Sequence, residues 1–383
     1  MNVGIVLSGR NSKDGGGYTI TKDLFDALIK RKNDLFTFYF IIRNEQNQYF
    51  SKELKKNKID FRLVYDSKFK IFLLSSFPFL LKIFNYFNFN KYNDYFKKNS
   101  VNLVWFLSSE NMHPLNIPYI TTIWDIQHKT NPRYKETGSF LVGLFRHKVI
   151  SVLLNNSKKI IVGTKVGCSE LNKHYLINKK KIFFIPHPTP SIFFKKIKKR
   201  KKIYNLKKYF LYPANFWEHK NHLRLIEAFS IFNSFHDNYQ LVLTGDCKDR
   251  EYFAKIKNLI KAKGLNKRIK ILRFVTIAEL IALYDGCECL IYPSTSGPEN
   301  LPPLEAFARG KQVLISNYPG AREQLIDNAH YFNPYNHVDI YKIMDKFVKK
   351  KILYKKDIKL FSKTRTASLY LNKVFYLIKS YIQ

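Results

Sequence analysis

Short apolar runs alternate with stretches of helical period along most of this chain. Residues 3–7, 35–42, 101–106, 119–123, 159–162 and 182–185 read as strands, and 18–30 reads as a helix between the first two. A break follows: PHPTP, then the lysine-rich 195–202 (KKIKKRKK), then a new apolar run at 210–212. Past that break the alternation restarts. Leu225, Ala228, Phe229 and Phe232 fall on one helix face, as do Phe253, Ile256 and Ile260, whose helix Gly264 closes at a C-cap position. Runs at 240–244, 269–274, 289–292 and 312–316 predict strands, with helices at 278–284 and 302–309. Such alternation predicts parallel sheets covered by helices, so the fold class is α/β with two Rossmann-like domains. The expected division is 1–186, a linker at 187–208, a second domain at 209–365 and a terminal helix at 366–383.

Composition narrows the class. A chain of 383 residues suits two cores rather than one, and two domains imply a cleft. With 45% hydrophobic and 25% charged residues the protein is globular. Its formal charge of +37 suits polyanionic partners: nucleic acid, anionic lipid or phosphorylated substrates. The excess is spread along the chain together with many Asn, Ile, Phe and Tyr, so codon bias is an equal explanation. The basic run 195–202 lacks aromatic interleaving and reads as a solvated linker. Cys168, Cys247, Cys287 and Cys289 fit neither a disulfide framework nor a zinc site and read as reduced cytosolic thiols. The opening MNVGIVLSGR has no basic region before its apolar residues and reads as a strand instead of a signal peptide. Residues 71–87 are too short and too interrupted to span a bilayer. They read either as an interfacial segment on an anionic leaflet or as a buried helix.

Four segments carry chemistry. Between the first strand and helix stands Gly15-Gly16-Gly17, an anion-binding turn at a helix N-terminus or a plain flexible turn. In PSTSGPENLPPLEAFARG a strand end and a loop deliver Glu305 to the first turn of a helix. There its carboxylate either complements the helix dipole or accepts hydrogen bonds from ribose hydroxyls. In YPANFWEHKNHLRLIEAF, Lys220 follows a strand end where it can neutralise a diphosphate, and Asn221 is placed to cap the next helix. In TIWDIQHKTNP, Asp125 and His128 lie just past a strand of the first domain, in a loop, where they can contact acceptor or donor oxygens.

YPANFWEHKN with IEAF, LVLTGD, ELIALYDGCECLIYPS, NLPPLEAFARG and NYPGAREQL, taken in order, resemble glycosyltransferase family 4, the retaining GT-B group. WDIQH and GTKVGCSEL leading to IPHP extend the likeness more loosely into the first half. The resemblance implies an acceptor-binding N-terminal domain facing a nucleotide-binding C-terminal domain, with the last helix crossing back. It implies that Lys220 binds the donor phosphate, Glu305 the ribose, and that Gly16 and Gly17 close over the donor phosphates. Glu323 falls on a structural glutamate. Three departures stand out. Gly297 occupies the place of the family's first paired glutamate, which leaves Pro298, Glu299, Asn300 and Leu301 to cradle the sugar by backbone contacts. Asn215 replaces a basic residue, and Trp124 replaces a histidine before Asp125.

The implied reaction is metal-independent, retaining transfer from a UDP- or GDP-linked sugar to a glycan or lipid-linked acceptor in surface polysaccharide synthesis. No D-x-D sequence occurs to hold a metal, and no cofactor is expected. The expected location is cytoplasmic, peripheral on the inner face of the membrane, with no nucleic-acid partner. Two alternatives stay open: a nucleotide-sugar epimerase of the same fold, and a basic nucleic-acid-binding protein.

Overall fold

The computed structural model describes residues 1–11, 15–31, 35–46, 48–77, 80, 83, 91–108, 115–196, 206–352, 355 and 357–382. The chain divides into two compact units. The first comprises Met1–Arg133, Thr137–His187 and Ala367–Gln383, and the second comprises Tyr134–Glu136 and Pro188–Thr366.

In the N-terminal unit the strands are β1 (Asn2–Ser8), β2 (Thr37–Arg43), β3 (Phe61–Val64), β4 (Leu103–Phe106), β5 (Tyr119–Ile123), β6 (Lys159–Val162) and β7 (Ile182–Phe184). They are ordered β3-β2-β1-β4-β5-β6-β7, with every pair parallel among the described residues. Its helices are α1 (Gly16–Lys30), α2 (Tyr49–Lys56), α3 (Lys68–Ser76), α4 (Lys91–Lys98), α5 (Gln127–Thr130), α6 (Phe140–Asn156) and α7 (Lys165–Tyr175). Val3, Ile5, Val6, Ile41, Leu103 and Trp105 are fully buried, as expected of a parallel sheet covered on both faces.

The C-terminal unit repeats this plan. Strands β8 (Lys208–Pro213), β9 (Tyr239–Thr244), β10 (Ile269–Ile271), β11 (Cys289–Tyr292), β12 (Gln312–Ser316) and β13 (His330–Phe332) run in the order β10-β9-β8-β11-β12-β13, all parallel. Helices α8 (His222–Phe235), α9 (Arg250–Ala262), α10 (Ile277–Gly286), α11 (Leu301–Ala308), α12 (Ala321–Leu325), α13 (His337–Val348) and α14 (Ile358–Lys363) cover them. Phe210, Leu211, Val242, Leu290, Ile291, Val313 and Leu314 form the floor of one continuous core.

Two edge strands, β3 and β13, escape the sequence pattern because each is short and carries polar residues. The run 269–274 ends as a strand at Ile271, and Phe274 is left 46% exposed. Residues 71–76 lie on α3, whereas most of 78–90, like 197–205 of the basic run and its neighbours, fall outside the described residues. Among those described, no helix is long and apolar enough to cross a membrane.

Helix α15 (Ala367–Ile382) ends the chain inside the N-terminal unit, against α1. Phe375 packs on Phe36 and Phe38 at ring distances of 5.3 and 5.7 Å, and Arg31 lies over its face. Phe375→Ala is expected to cost the N-terminal unit about 3–5 kcal/mol, because the space left beside the rings of Phe36 and Phe38 at the start of β2 cannot collapse fully. Denaturant unfolding followed by near-UV circular dichroism checks this, with a markedly lower midpoint as the expected result.

Candidate functional site

In each sheet the chain reverses direction of growth beside its first strand, between β1 and β4 and between β8 and β11. At such a point neighbouring loops leave on opposite faces of the sheet, and a crevice opens beyond the carboxyl ends of the strands. The loop after β8 carries Lys220, and the loop after β11 leads to Asn300 and Glu305.

The loop after β8 is fixed by backbone and polar contacts. Gly245 lets the loop after β9 approach closely: a Cβ there would sit 2.2 Å from the Ala214 carbonyl oxygen. Asn215 accepts from the Asp246 N–H at 2.9 Å, so its side chain ties these two loops together. A 3-10 turn, Glu218–Lys220, then runs into Asn221, whose φ is 61°. Asn221 holds the N-cap position of α8, yet its side chain makes no cap. The expected capping bond is replaced by two others, because the left-handed backbone aims the amide across the sheet end. It donates to the carbonyls of Pro293 at 3.0 Å and Pro334 at 2.8 Å, joining the loops after β8, β11 and β13.

Lys220 is half-buried, and its ammonium donates to Tyr292 Oη and Asn300 Oδ1, each at 3.1 Å. Tyr292 Oη donates in turn to Asn300 Oδ1 at 2.7 Å, and Tyr212 Oη donates to the Lys220 carbonyl at 2.6 Å. The result is a cation fixed at both ends of its side chain, beside the residue that begins α11.

Helix α11 starts at Leu301, with Asn300 extended and both of its backbone groups held by Gln324. Glu305 is therefore the fifth residue of the helix and not in its first turn, a correction to the sequence reading. Its carboxyl is 6% exposed and accepts from Tyr284 Oη at 2.8 Å. Burial pushes its pKa up to about 7 against the opposing hydrogen bond from Tyr284.

Gly297 is half-buried with φ 107°, and Pro298 and Leu301 are buried. The Pro298 carbonyl lies against Gly320, where a Cβ would stand 2.4 Å from its oxygen. Glu299 is almost fully buried and pairs with Arg365 at 3.6 Å; Glu323 also acts on that arginine. These contacts occupy much of the polar surface of 298–300 with protein partners.

In the N-terminal unit, Gly16 and Gly17 open α1 behind Gly15, whose φ is 73°, with no side-chain cap. A Cβ on Gly17 would meet the Arg10 guanidinium and the Trp124 ring, each at 2.8 Å. Arg10, two residues past β1, brings positive charge to this helix start and was missed; its position directly after a predicted strand is the signal that finds it. Asp125 is exposed and accepts from the Gln127 N–H at 3.1 Å. His128 belongs to helix α5 and not to a loop; it is 7% exposed, with Nε2 on Tyr175 Oη at 3.1 Å. Burial, with Arg146 and Lys129 nearby, lowers its pKa to about 4, so it is a neutral interior group at pH 7. Glu170, also missed, is pushed up to about 7 by burial and then by Asp125.

Residues 193–361 match the family model for glycosyl transferases group 1. The matched stretch lies within the C-terminal unit. Among sequence relatives, the O-antigen chain mannosyltransferase RfbU of Salmonella typhimurium is 26% identical over 207 residues, covering 54% of this chain and 55% of that protein. The serotype-specific mannosyltransferase WbdA of Escherichia coli is 32% identical over 138 residues, covering 36% of this chain and 17% of WbdA. This chain thus spans about half of RfbU and less of WbdA. Among solved structures, Anabaena HepE in complex with UDP and glucose aligns with a TM-score of 0.72 at 15% identity, covering 98% of this chain and 99% of that one. A glycosyltransferase from Rickettsia africae aligns at 0.69 and 18% identity, covering 100% and 98%. These two likenesses show the fold, GT-B.

Lys220, Asn300 and Glu305 all fall inside the group 1 match. Among the described residues, no group of three or more His, Cys, Asp or Glu side chains is arranged to hold a metal ion. The raised pKa of Glu305 has a sign that can be checked. Folding holds its proton more tightly than the unfolded chain does, so the associated stability is present below the ordinary carboxylate pKa and lost as pH rises through about 7. Without nucleotide, Glu305→Gln is therefore expected to be more stable than the parent chain at pH 8, by up to about 3 kcal/mol. The difference should vanish near pH 4. Melting curves of both proteins across this range are the measurement.

Proposed function

We propose that this chain is a retaining glycosyltransferase of family 4 that moves a sugar from a nucleotide-sugar donor to a glycan or lipid-linked acceptor. The observation that carries the reading is the Lys220 ammonium, held by Tyr292 and Asn300 where the β8 and β11 loops leave the sheet. A preorganised cation there suits a diphosphate leaving group, and such a contact is worth a few kcal/mol where charge develops. The first α11 N–H groups add partial positive charge. Glu305 lies farther along the same helix, where its carboxyl can accept from ribose hydroxyls in place of Tyr284.

In the reaction we propose, the acceptor hydroxyl oxygen forms a bond to the anomeric carbon as the bond to the donor diphosphate breaks on the same face. The hydroxyl proton passes to a donor phosphate oxygen, and Lys220 stabilises the diphosphate that leaves. His128, buried and neutral, takes no part; Asp125 is the exposed carboxylate we assign to acceptor binding. Arg10 and the Gly16-Gly17 helix start bring positive charge to one corner of the N-terminal unit, which suits an anion. The sequence relatives are mannosyltransferases of O-antigen and glycan synthesis, which supports mannose as the sugar and favours transfer over epimerisation. HepE, bound to UDP, supports a uridine carrier, with a guanosine carrier as the alternative.

Lys220→Ala is expected to lower turnover by more than roughly tenfold with the fold intact, and added chelator to leave turnover unchanged. Both are read from product formation with GDP- and UDP-linked sugars, with the anomer of the product assigned by NMR. Near-normal turnover of the variant, or chelator loss reversed by a divalent ion, removes this assignment.

We further propose a cytoplasmic enzyme that rests on an anionic membrane through its N-terminal unit. Helices α3 and α6 pack together and expose Phe69, Phe140, Leu141 and Leu144, with Lys148 also exposed. Apolar groups beside basic ones suit an anionic leaflet. The protein should float with phosphatidylglycerol vesicles and not with phosphatidylcholine alone, and Phe140→Glu with Leu141→Glu should abolish flotation. Equal flotation with both lipids would count against an electrostatic contribution.

A further inference from the structure

Three residues from the first half of the sequence, Tyr134–Glu136, belong to the C-terminal unit rather than to the unit that surrounds them in sequence. Glu136 Oε1 is hydrogen-bonded to His219 Nδ1 and also accepts from the His219 backbone N–H at 3.4 Å. The two side chains are 8% and 7% exposed. Burial alone would raise the Glu136 carboxyl; the hydrogen bond and charge of His219 outweigh it and hold the group below the usual carboxylate range. Tyr134 Oη lies 2.8 Å from Thr295 Oγ1. Thr295 in turn donates its N–H at 2.8 Å and its hydroxyl at 3.1 Å to the His219 carbonyl, and Ser294 Oγ donates to the same oxygen at 3.3 Å. By contrast, the ion pair of Lys135 with Glu251 is exposed on both sides and adds little.

His219 immediately precedes Lys220, and Thr295 stands on the loop that leads to Asn300. Segment 134–136 therefore touches both loops whose ends meet at the Lys220 ammonium. We propose that Glu136 and Tyr134 are positioning residues for the donor-phosphate lysine, so that a stretch of chain outside the family match at 193–361 sets donor affinity. This inference rests on the reading of Lys220 as the donor-phosphate ligand. A misplacement of even an ångström in such a group lowers catalysis strongly, which gives a contact one residue away its leverage.

The test is calorimetric titration of GDP and UDP into the full chain, with donor and acceptor KM measured alongside. Glu136→Ala should weaken binding of the preferred nucleotide by roughly tenfold and raise donor KM, leaving acceptor KM unchanged. A merely structural role would lower the active fraction without this split. Glu136→Gln, which keeps an acceptor oxygen for His219, should recover most of the loss. The Glu136→Ala, His219→Ala double variant should bind no more weakly than His219→Ala alone. Parent-like binding by Glu136→Ala, or losses that add in the double variant, overturns the inference and leaves the Lys220 site standing. A parent chain that binds neither nucleotide overturns both. Should Glu136→Ala fail to fold, Tyr134→Phe removes a single oxygen, and an unchanged dissociation constant in that variant overturns the proposal.

Discussion

One constraint organises the C-terminal unit: a lysine ammonium must be held, half-buried, at the end of a parallel sheet. The fold meets it with neutral acceptors. Tyr292 and Asn300 present oxygen dipoles to Lys220 and orient the cation. A carboxylate at either position would bind the lysine more strongly and oppose a phosphate. Acidic groups are present nearby, but they are occupied elsewhere: Glu299 by Arg365 and Glu136 by His219.

Holding that cation needs rigid loops, and rigidity comes from amides and hydroxyls that cross between strand ends. Asn221 joins three loops with two hydrogen bonds, Gln324 grips both backbone groups of Asn300, and Ser316 donates to the Tyr292 and Ser294 carbonyls. Buried polar networks of this kind specify one arrangement only when they are well satisfied. Gly245 and Gly320 contribute differently: they leave room for neighbouring carbonyls to come closer than any side chain would allow.

Much of this was legible in the sequence because it follows from local pattern. Parallel strands buried on both faces read as apolar runs, so β5, β6, β11 and β12 were found with their observed bounds. Lys220 was visible as a cation on the loop that follows such a run, just before a helix. What local pattern cannot supply is the partner of a side chain. Asn221 looked like a cap because asparagine before a helix commonly caps it; its left-handed backbone instead carries the amide to carbonyls of two other loops. His128 looked like a loop residue open to a substrate oxygen, yet it is buried and hydrogen-bonded to Tyr175, far along the chain. The contact of Glu136 with His219 spans 83 residues and leaves no trace in spacing or periodicity.

Glu305 shows how stability and binding are set against each other in this site. A carboxyl with a pKa near 7, buried and given one hydrogen bond by Tyr284, is divided between two unfavourable choices at neutral pH. Ionised, it has the Tyr284 hydroxyl as donor in a medium that penalises charge; protonated, it keeps a proton that the unfolded chain would release. A ligand that brings two adjacent hydroxyl donors resolves the conflict in favour of the ionised form, since each donor stabilises the charge it meets. Part of the intrinsic binding energy is then spent on releasing a proton, and what remains depends on whether the ligand can supply both donors. On the proposed reading of Glu305 as the ribose ligand, a diol would thereby be distinguished from a single hydroxyl by the protonation state of the residue that receives it, in addition to any difference in contact area.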